Sequence, residues 1–242
     1  MQSQNKSLSK GLMILKKVML SKEPLTANHL CQSLDIDKST MSRLITTLVS
    51  EGFLDYVDNS KEIILSDLMR KIVEQDSREK IIQKTQKLLD DIFYLTEEAS
   101  YLGIYDNNSV LYLNQVDKSN RVLKTRNAIG LHAPLHSNAF GKVILALKKI
   151  DLTKLTLKKY TTNTITNTQK LSEELILIKE RGYAIGNEEH EYGLCSVAVP
   201  LFNARGEFIG PVGISGISIR LSLESLHEFG QRILALTQNS LR

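Results

Sequence analysis

Hydrophobic period changes once in the first quarter of this chain, at Gly52. Before it, apolar residues recur at three- and four-residue steps; after it they alternate. Leu8, Leu12, Leu15, Val18 and Met19 form one stripe on a helix over 8–20. Glu23-Pro24 ends that helix, because proline disfavours helix in the residue before it. Thr26 is placed to cap a second helix over 27–33, with Leu30 inward. Asp37 is placed to cap a third over 38–50, with Met41, Leu44, Ile45 and Leu48 inward, and Gly52 stops it. Residues 53–57 and 62–65 then read as strands around the turn Asp58-Asn59-Ser60-Lys61. A small helical domain of another kind can carry such stripes, but three helices followed by a hairpin is the order of a winged helix-turn-helix.

The third helix of that arrangement enters the major groove and sets side chains against base edges. Lys38, Ser39, Thr40, Ser42, Arg43, Thr46 and Thr47 lie off its apolar stripe. An arginine such as Arg43 can donate two bonds to guanine O6 and N7, or hold a phosphate. Serine and threonine hydroxyls near a helix start suit phosphate oxygens or bases. Lys61, at the tip of the hairpin, is placed to touch the backbone. Double-stranded DNA is therefore the expected partner. Charge alone does not decide the matter: the net charge is +4, and residues 1–66 hold eight Lys and Arg against seven Asp and Glu. A DNA reader needs only to cluster its cations on one face.

The remaining chain is long enough for a second domain. Residues 67–98 are helical and highly charged, with a polar middle at 74–78. They are read as a linker helix over 67–80, a break near Asp76, and a helix opening a domain over 81–242. Residues 99–105 and 110–116 flank Asp106-Asn107-Asn108-Ser109, a hairpin signal. A third strand is expected over 121–125, a helix over 137–147, and a solvated basic face over 148–159. A loop over 161–168, a helix over 171–181, strands over 183–187, 196–202 and 207–214, and a closing helix over 223–236 complete the pattern. The fold class is α+β. No run of eighteen apolar residues exists and the first ten residues are polar, so no membrane span or secretory signal is expected and the cytoplasm is the expected location. Cys31 and Cys195 fall in different expected domains, which argues against a disulfide framework.

Four stretches resemble the isocitrate lyase regulator (IclR) family of bacterial transcription regulators, in the family's order and spacing: residues 7–15; Lys38-Ser39-Thr40-Met41-Ser42-Arg43-Leu44, with its Ser-Thr and Arg-Leu; GLHAPLHSNAFGKVILA over 130–146; and RGYAIGNEEHEYGLCSVAVP over 181–200. The resemblance implies a C-terminal GAF-like domain, an antiparallel sheet flanked by helices, which binds a small-molecule effector such as a small carboxylate. It also implies a homodimer or homotetramer. Carried over position by position, the effector site would comprise Leu135, Asn138, Ala139, Phe140, Asn187, Leu194, Ser196 and Ser215, with backbone amides at a helix start favouring an anion.

Three positions depart from the family pattern. Gly186 stands where an Asp is common, Ser196 where a Cys is common, and Gly213 where the first serine of a Ser-x-Ser pair is common. Either the effector differs from glyoxylate-like acids or the pocket is degenerate. Cys195 should face away from Ser196, since neighbours on a strand point oppositely. A redox switch at Cys195 and a GAF-like redox enzyme are the competing readings, and the second would need cooperating thiols that this sequence does not place together. His132, His136 and His190 do not stand at metal-ligand spacing with carboxylates. Glu188 and Glu189, as strand neighbours, are expected to face opposite ways. No catalytic residue, metal or cofactor is therefore expected.

Overall fold

A computed structural model describes residues 5–21, 23–58 and 60–240, apart from the side chains of 74–77 and 239–240. The chain forms two compact units, 1–80 and 81–242.

In the first unit, helix α1 (Lys6–Met19) is followed by β1 (Leu25–Thr26), α2 (Ala27–Leu34), α3 (Lys38–Ser50), β2 (Leu54–Tyr56) and β3 (Glu62–Leu65). The strands pair antiparallel in the order β1-β3-β2. Each helix starts on a polar cap that accepts an otherwise unpaired amide. Asn5 accepts from Leu8 N at 3.0 Å, Thr26 from His29 N at 3.3 Å and Asp37 from Thr40 N at 2.9 Å. Asp35 closes α2 in the left-handed region with φ 51°, which turns the chain sharply into α3. Ile14, Val18, Leu30, Ile36, Met41, Ile45, Leu54 and Ile63 make the core.

The face that α1 buries differs from the expected stripe. Gly11, Ile14 and Val18 are buried, whereas Leu8, Leu12 and Met19 are exposed. Ile14 and Val18 turn inward because they join Leu30, Met41 and Ile45 in the core, a choice of face made by packing between elements. Asn59, in the expected wing turn, lies outside the described residues.

Helix α4 (Asp67–Thr96) runs through without the break expected near Asp76. Its polar middle, Glu74-Gln75-Asp76-Ser77-Arg78, holds the good helix formers Glu, Gln and Arg and neither Gly nor Pro. Polarity marks where a helix lacks a core partner, not where it stops. Leu68 and Ile72, in its first two turns, are exposed.

In the second unit, the chain continues through β4 (Ala99–Asp106), β5 (Ser109–Val116), β6 (His132–Pro134), α5 (Ala139–Leu147), α6 (Thr168–Arg181), β7 (Ala184–Asn187), β8 (Leu194–Phe202), β9 (Phe208–Ile217) and α7 (Leu223–Ser240). The sheet is antiparallel, in the order β6-β5-β4-β9-β8-β7. Asn107 and Asn108 both take positive φ, 45° and 59°, as a two-residue hairpin turn requires. One sheet face packs on Leu88, Leu89, Ile92 and Phe93 of α4 and on Leu226 and Ile233 of α7. The other packs on Phe140, Val143 and Ile144 of α5 and on Leu171, Leu175 and Ile178 of α6. The result is a sheet between two helical layers.

Two expectations fail here. Residues 121–125 are not a strand; the edge strand is β6, and 117–131 form an irregular loop. Val122 and Leu123 are exposed, and the segment is held by side chains instead: Arg121 donates to Glu97 O and Glu98 Oε1, both at 2.6 Å. Residues 148–159 are not simply a solvated face, because Ile150, Leu152, Leu155 and Leu157 pack on the core.

Candidate functional site

The first candidate site is the outer face of α3. Lys38, Ser39, Ser42, Arg43, Thr46 and Thr47 are exposed, Thr40 is half-buried, and Met41 and Ile45 anchor the opposite face. Some hydroxyls are occupied by the helix. Ser39 Oγ donates to Asp37 Oδ1 at 2.9 Å, Thr46 to Ser42 O at 2.9 Å and Thr47 to Arg43 O at 3.0 Å. Their oxygens remain acceptors, but these protons are not free for an incoming acceptor. Lys38, Ser42 and Arg43 make no side-chain bond to any described residue. The Asp37 carboxyl is held well below the usual carboxylate range by the Thr40 backbone amide and then by the Thr40 and Ser39 hydroxyls, so it stays ionised at the start of α3. Lys61 is exposed beside β3.

The second is a cleft of about 750 Å³ within the C-terminal unit. Asn138, Leu194, Ser196 and Ser215 line it. Ser196 on β8 and Ser215 on β9 are register partners, which sets their hydroxyls side by side. The other four expected residues lie elsewhere. Leu135, Ala139 and Phe140 are buried in the core, and Asn187 lies outside the lining, where it accepts from Cys195 Sγ at 3.5 Å. Phe140 stands behind the wall, edge-on to Tyr101 and Tyr112 at 6.0 and 5.4 Å between centroids.

The start of α5 is largely self-satisfied. Ala139 N donates to Ser196 Oγ at 3.3 Å, and Gly141 N to Asn138 Oδ1 at 2.9 Å. Gly186 makes this possible: a Cβ there would lie 2.5 Å from Ser196 Oγ and 3.1 Å from Ala139 N. The missing side chain at 186 therefore reflects the room that Ser196 takes, and does not open a slot for an anion. A side chain at 213 is excluded too, since its Cβ would lie 2.0 Å from Val197 O.

Several lining residues escape the sequence reading: Tyr101, Tyr112, Lys124, Thr125, Arg126, His190, Glu191 and Tyr192. Tyr101 bonds Thr125 through their hydroxyls, which ties the 117–131 loop to β4. Burial pushes the Tyr101 phenol up to about 12 and the Tyr112 phenol higher still, so both are neutral donors. Burial lowers the His190 pKa, with Glu191 opposing that shift and Arg126 adding to it. His132, also in the lining, meets Asp106 at 2.8 Å. The hairpin signal at 106–109 was readable, but the return of the 117–131 loop over the cleft was not, because it depends on side-chain ties distant in sequence.

Outside the cleft lining lies a buried ion pair. Lys142 Nζ on α5 meets Glu189 Oε1 at 2.6 Å, both groups almost wholly inaccessible, and Glu174 lies 3.8 Å away and binds Arg181 at 2.8 Å. Glu189 Oε2 has no partner. Burial holds the Glu189 pKa above the ordinary range although Lys142 pulls it down. Glu188 is outside β7 and takes φ 53°, so strand alternation does not describe this pair. Cys195 is fully buried in the core and burial pushes its thiol up, the opposite of what makes a cysteine reactive.

A winged helix-turn-helix with an unencumbered third helix, followed by a sheet-and-helix unit with its own cleft, defines a DNA-binding regulator that carries a ligand module. Comparison with known proteins makes the assignment specific. The IclR helix-turn-helix domain matches residues 7–58, and the bacterial transcriptional regulator IclR C-terminal family matches residues 74–240. The HTH-type transcriptional regulator KdgR of Dickeya chrysanthemi is 32% identical over 210 residues, spanning 83% of this chain and 68% of that protein. The crystal structure of Thermotoga maritima IclR superposes with a TM-score of 0.63 at 26% identity, over 98% of this chain and 97% of the other. An IclR homologue from Microbacterium hydrocarbonoxydans, solved in complex with 4-hydroxybenzoate, shares the fold, with a TM-score of 0.60 at 18% identity over 98% and 99% of the two chains. This chain belongs to the IclR family of transcription regulators, with an N-terminal DNA-binding domain and a C-terminal effector-binding domain.

Proposed function

We propose that the protein controls transcription by binding operator DNA through α3 and releasing or retaining it according to a small molecule in the 750 Å³ cleft. Double-stranded DNA, a small-molecule effector and a second copy of the chain are its partners, and it has no catalytic role. The observation that carries the DNA half is the free outer face of α3. Arg43 is exposed, unpaired among the described residues and one turn from the helix start, where Lys38 and Ser42 flank it. Arg43 reads a base edge, while Lys38, the serine and threonine oxygens and Lys61 of the wing hold the phosphate backbone. Two copies would present two such helices to one side of the duplex, about 34 Å apart.

The cleft holds the effector against Ser196, Ser215, Asn138 and Leu194. To act as a signal, the effector must bind the DNA-competent and DNA-incompetent states with different affinities. Among the described residues no helix is long and apolar enough to cross a membrane, and a cytoplasmic location is part of this reading.

The test is to select genomic DNA fragments on the purified protein, measure affinity by fluorescence anisotropy, and compare Arg43→Ala. Affinity should fall with salt at a log–log slope of about −0.9 for each phosphate neutralised. Arg43→Ala should lose about 1–3 kcal/mol of discrimination while its melting curve stays unchanged. Salt-insensitive binding, or parental affinity in a folded Arg43→Ala protein, would overturn the assignment.

A further inference from the structure

The groups free to meet a ligand are not those at the start of α5. The amides of Ala139 and Gly141 are already bonded within the protein, and Asn138 uses both ends of its side chain, receiving from Gly141 N and donating to Pro134 O. A helix start that has spent the amides of Ala139 and Gly141 keeps fewer donors for an anion. The cleft is better equipped at the 117–131 loop. Lys124 and Arg126 both reach the lining, but they are not equivalent. Lys124 is engaged, with Asp117 at 3.1 Å and Ser119 O at 3.2 Å. Arg126 makes no hydrogen bond or ion pair to any described residue. Glu191, the carboxylate in the lining, does not pair with it.

Loop ties place Arg126 at the cleft. On one side Thr125 is bonded to Tyr101, and on the other Ala128 N donates to Gln115 Oε1 at 2.8 Å. Farther back, Arg220 Nη1 donates to Leu123 O at 3.2 Å while its other nitrogens donate to the buried Glu98. The loop is therefore anchored at both ends of the Arg126 segment. The same cleft is lined by neutral polar groups without a hydrogen-bond partner among the described residues: the Tyr112 phenol and the hydroxyls of Ser215 and Ser218. Ser196 accepts from Ala139 but retains its own proton to donate.

From this arrangement we infer that Arg126 is the anion-binding residue of the cleft, and that the effector is a hydroxylated acid. Its carboxylate or phosphate lies on the Arg126 guanidinium, and its hydroxyls face Tyr112, Ser215 and Ser218. This inference rests on the effector reading above. A planar guanidinium suits either oxyanion through paired N–H donors, which an ammonium cannot reproduce. Neutral hydroxyls left unpaired in a cleft ask for a ligand that both donates and accepts, and the Tyr101–Tyr112 pair, 5.5 Å between centroids, offers an apolar wall for the carbon skeleton.

The full-length protein is titrated calorimetrically with D-gluconate, D-glucuronate and D-glucose 6-phosphate. D-glucose, acetate and inorganic phosphate serve as controls lacking the anion or the hydroxyls. At least one hydroxylated anion should bind, and bind about tenfold or more tighter than every control. The carboxylate and phosphate arms identify which oxyanion is preferred. Arg126→Ala should weaken that ligand at least tenfold, Arg126→Lys should recover only part, and DNA affinity without ligand should be unchanged in both. If the ligand binds Arg126→Ala within twofold of the parent, or if D-glucose binds as well as the acids, the Arg126 assignment fails while the effector reading stands. If none of the six compounds binds, the hydroxylated-acid assignment is overturned. A separate metabolite screen for DNA release then decides whether the effector reading falls with it.

Discussion

Lys142→Met tests how the C-terminal unit is held together. Lys142 is 1% exposed and Glu189 7%, and their 2.6 Å contact is out of reach of water. Methionine fills the lysine stem but removes the charge. Glu174 keeps Arg181 as a partner, whereas Glu189 is left with a buried carboxylate and nothing to neutralise it. Breaking one side of a buried pair costs about 3–5 kcal/mol. For a unit of 162 residues, 81–242, each kcal/mol moves the midpoint by about 2–4 °C, so the transition should drop by about 6–20 °C. Removing both charges is a different perturbation. Lys142→Met combined with Glu189→Leu should return most of the loss, since an apolar pair of similar size avoids the desolvation of two ions.

The pH dependence has a definite sign. The folded-state Glu189 pKa is already raised, and losing Lys142 raises it further. A raised carboxylate pKa means that the folded state binds the proton more tightly, so stability is present at low pH and is lost as pH rises through the folded value. The deficit of Lys142→Met should therefore be largest at pH 8 and shrink towards pH 5. Calorimetric melts of the parent, single and double variants check all three statements. A single variant within about 2 °C of the parent, a double variant no better than the single, or a deficit that grows in acid would show that the Lys142–Glu189 pair does not hold the unit in this way.

Two other outcomes follow from the packing. Gly186→Ala should cost about 1–3 kcal/mol by overpacking against Ser196 Oγ and Ala139 N; adding Ser196→Ala should restore part of it, and a parental melting curve for the single variant would contradict the close approach. In a Cys31→Ser background, Cys195 should resist a thiol reagent until the protein unfolds, because the thiol is fully buried with a raised pKa; rapid labelling of the native protein would revive a redox role.

The chain order of the winged helix was legible because it depends on local chemistry. Thr26 and Asp37 cap helices wherever they precede an apolar stripe, and the change of period at Gly52 marks the hairpin. The Asn107-Asn108 turn was legible for the same reason, since those residues tolerate positive φ. The α1 face was not legible. Its leucines form a plausible stripe, but packing against α2 and α3 buries Ile14 and Val18 instead, and the sequence of α1 alone does not say which face its neighbours will cover.

The candidate cleft divides along the same line. Ser196 and Ser215, nominated by position in the family pattern, do line the cleft, where β8 and β9 hold them as register partners. Phe140 and Asn187 were nominated by position in a motif, and the structure puts one in the core and the other outside the lining. Arg126 gave no sequence signal at all. It lies in an irregular loop, next to exposed apolar residues, and reaches the cleft because Tyr101, Gln115 and Glu98 anchor that loop from elsewhere in the chain. Local sequence thus determined which elements form and how they are capped. Tertiary structure alone decided which side chains keep free hydrogen-bonding capacity at the cleft, because that capacity is what remains after contacts between distant residues have been made.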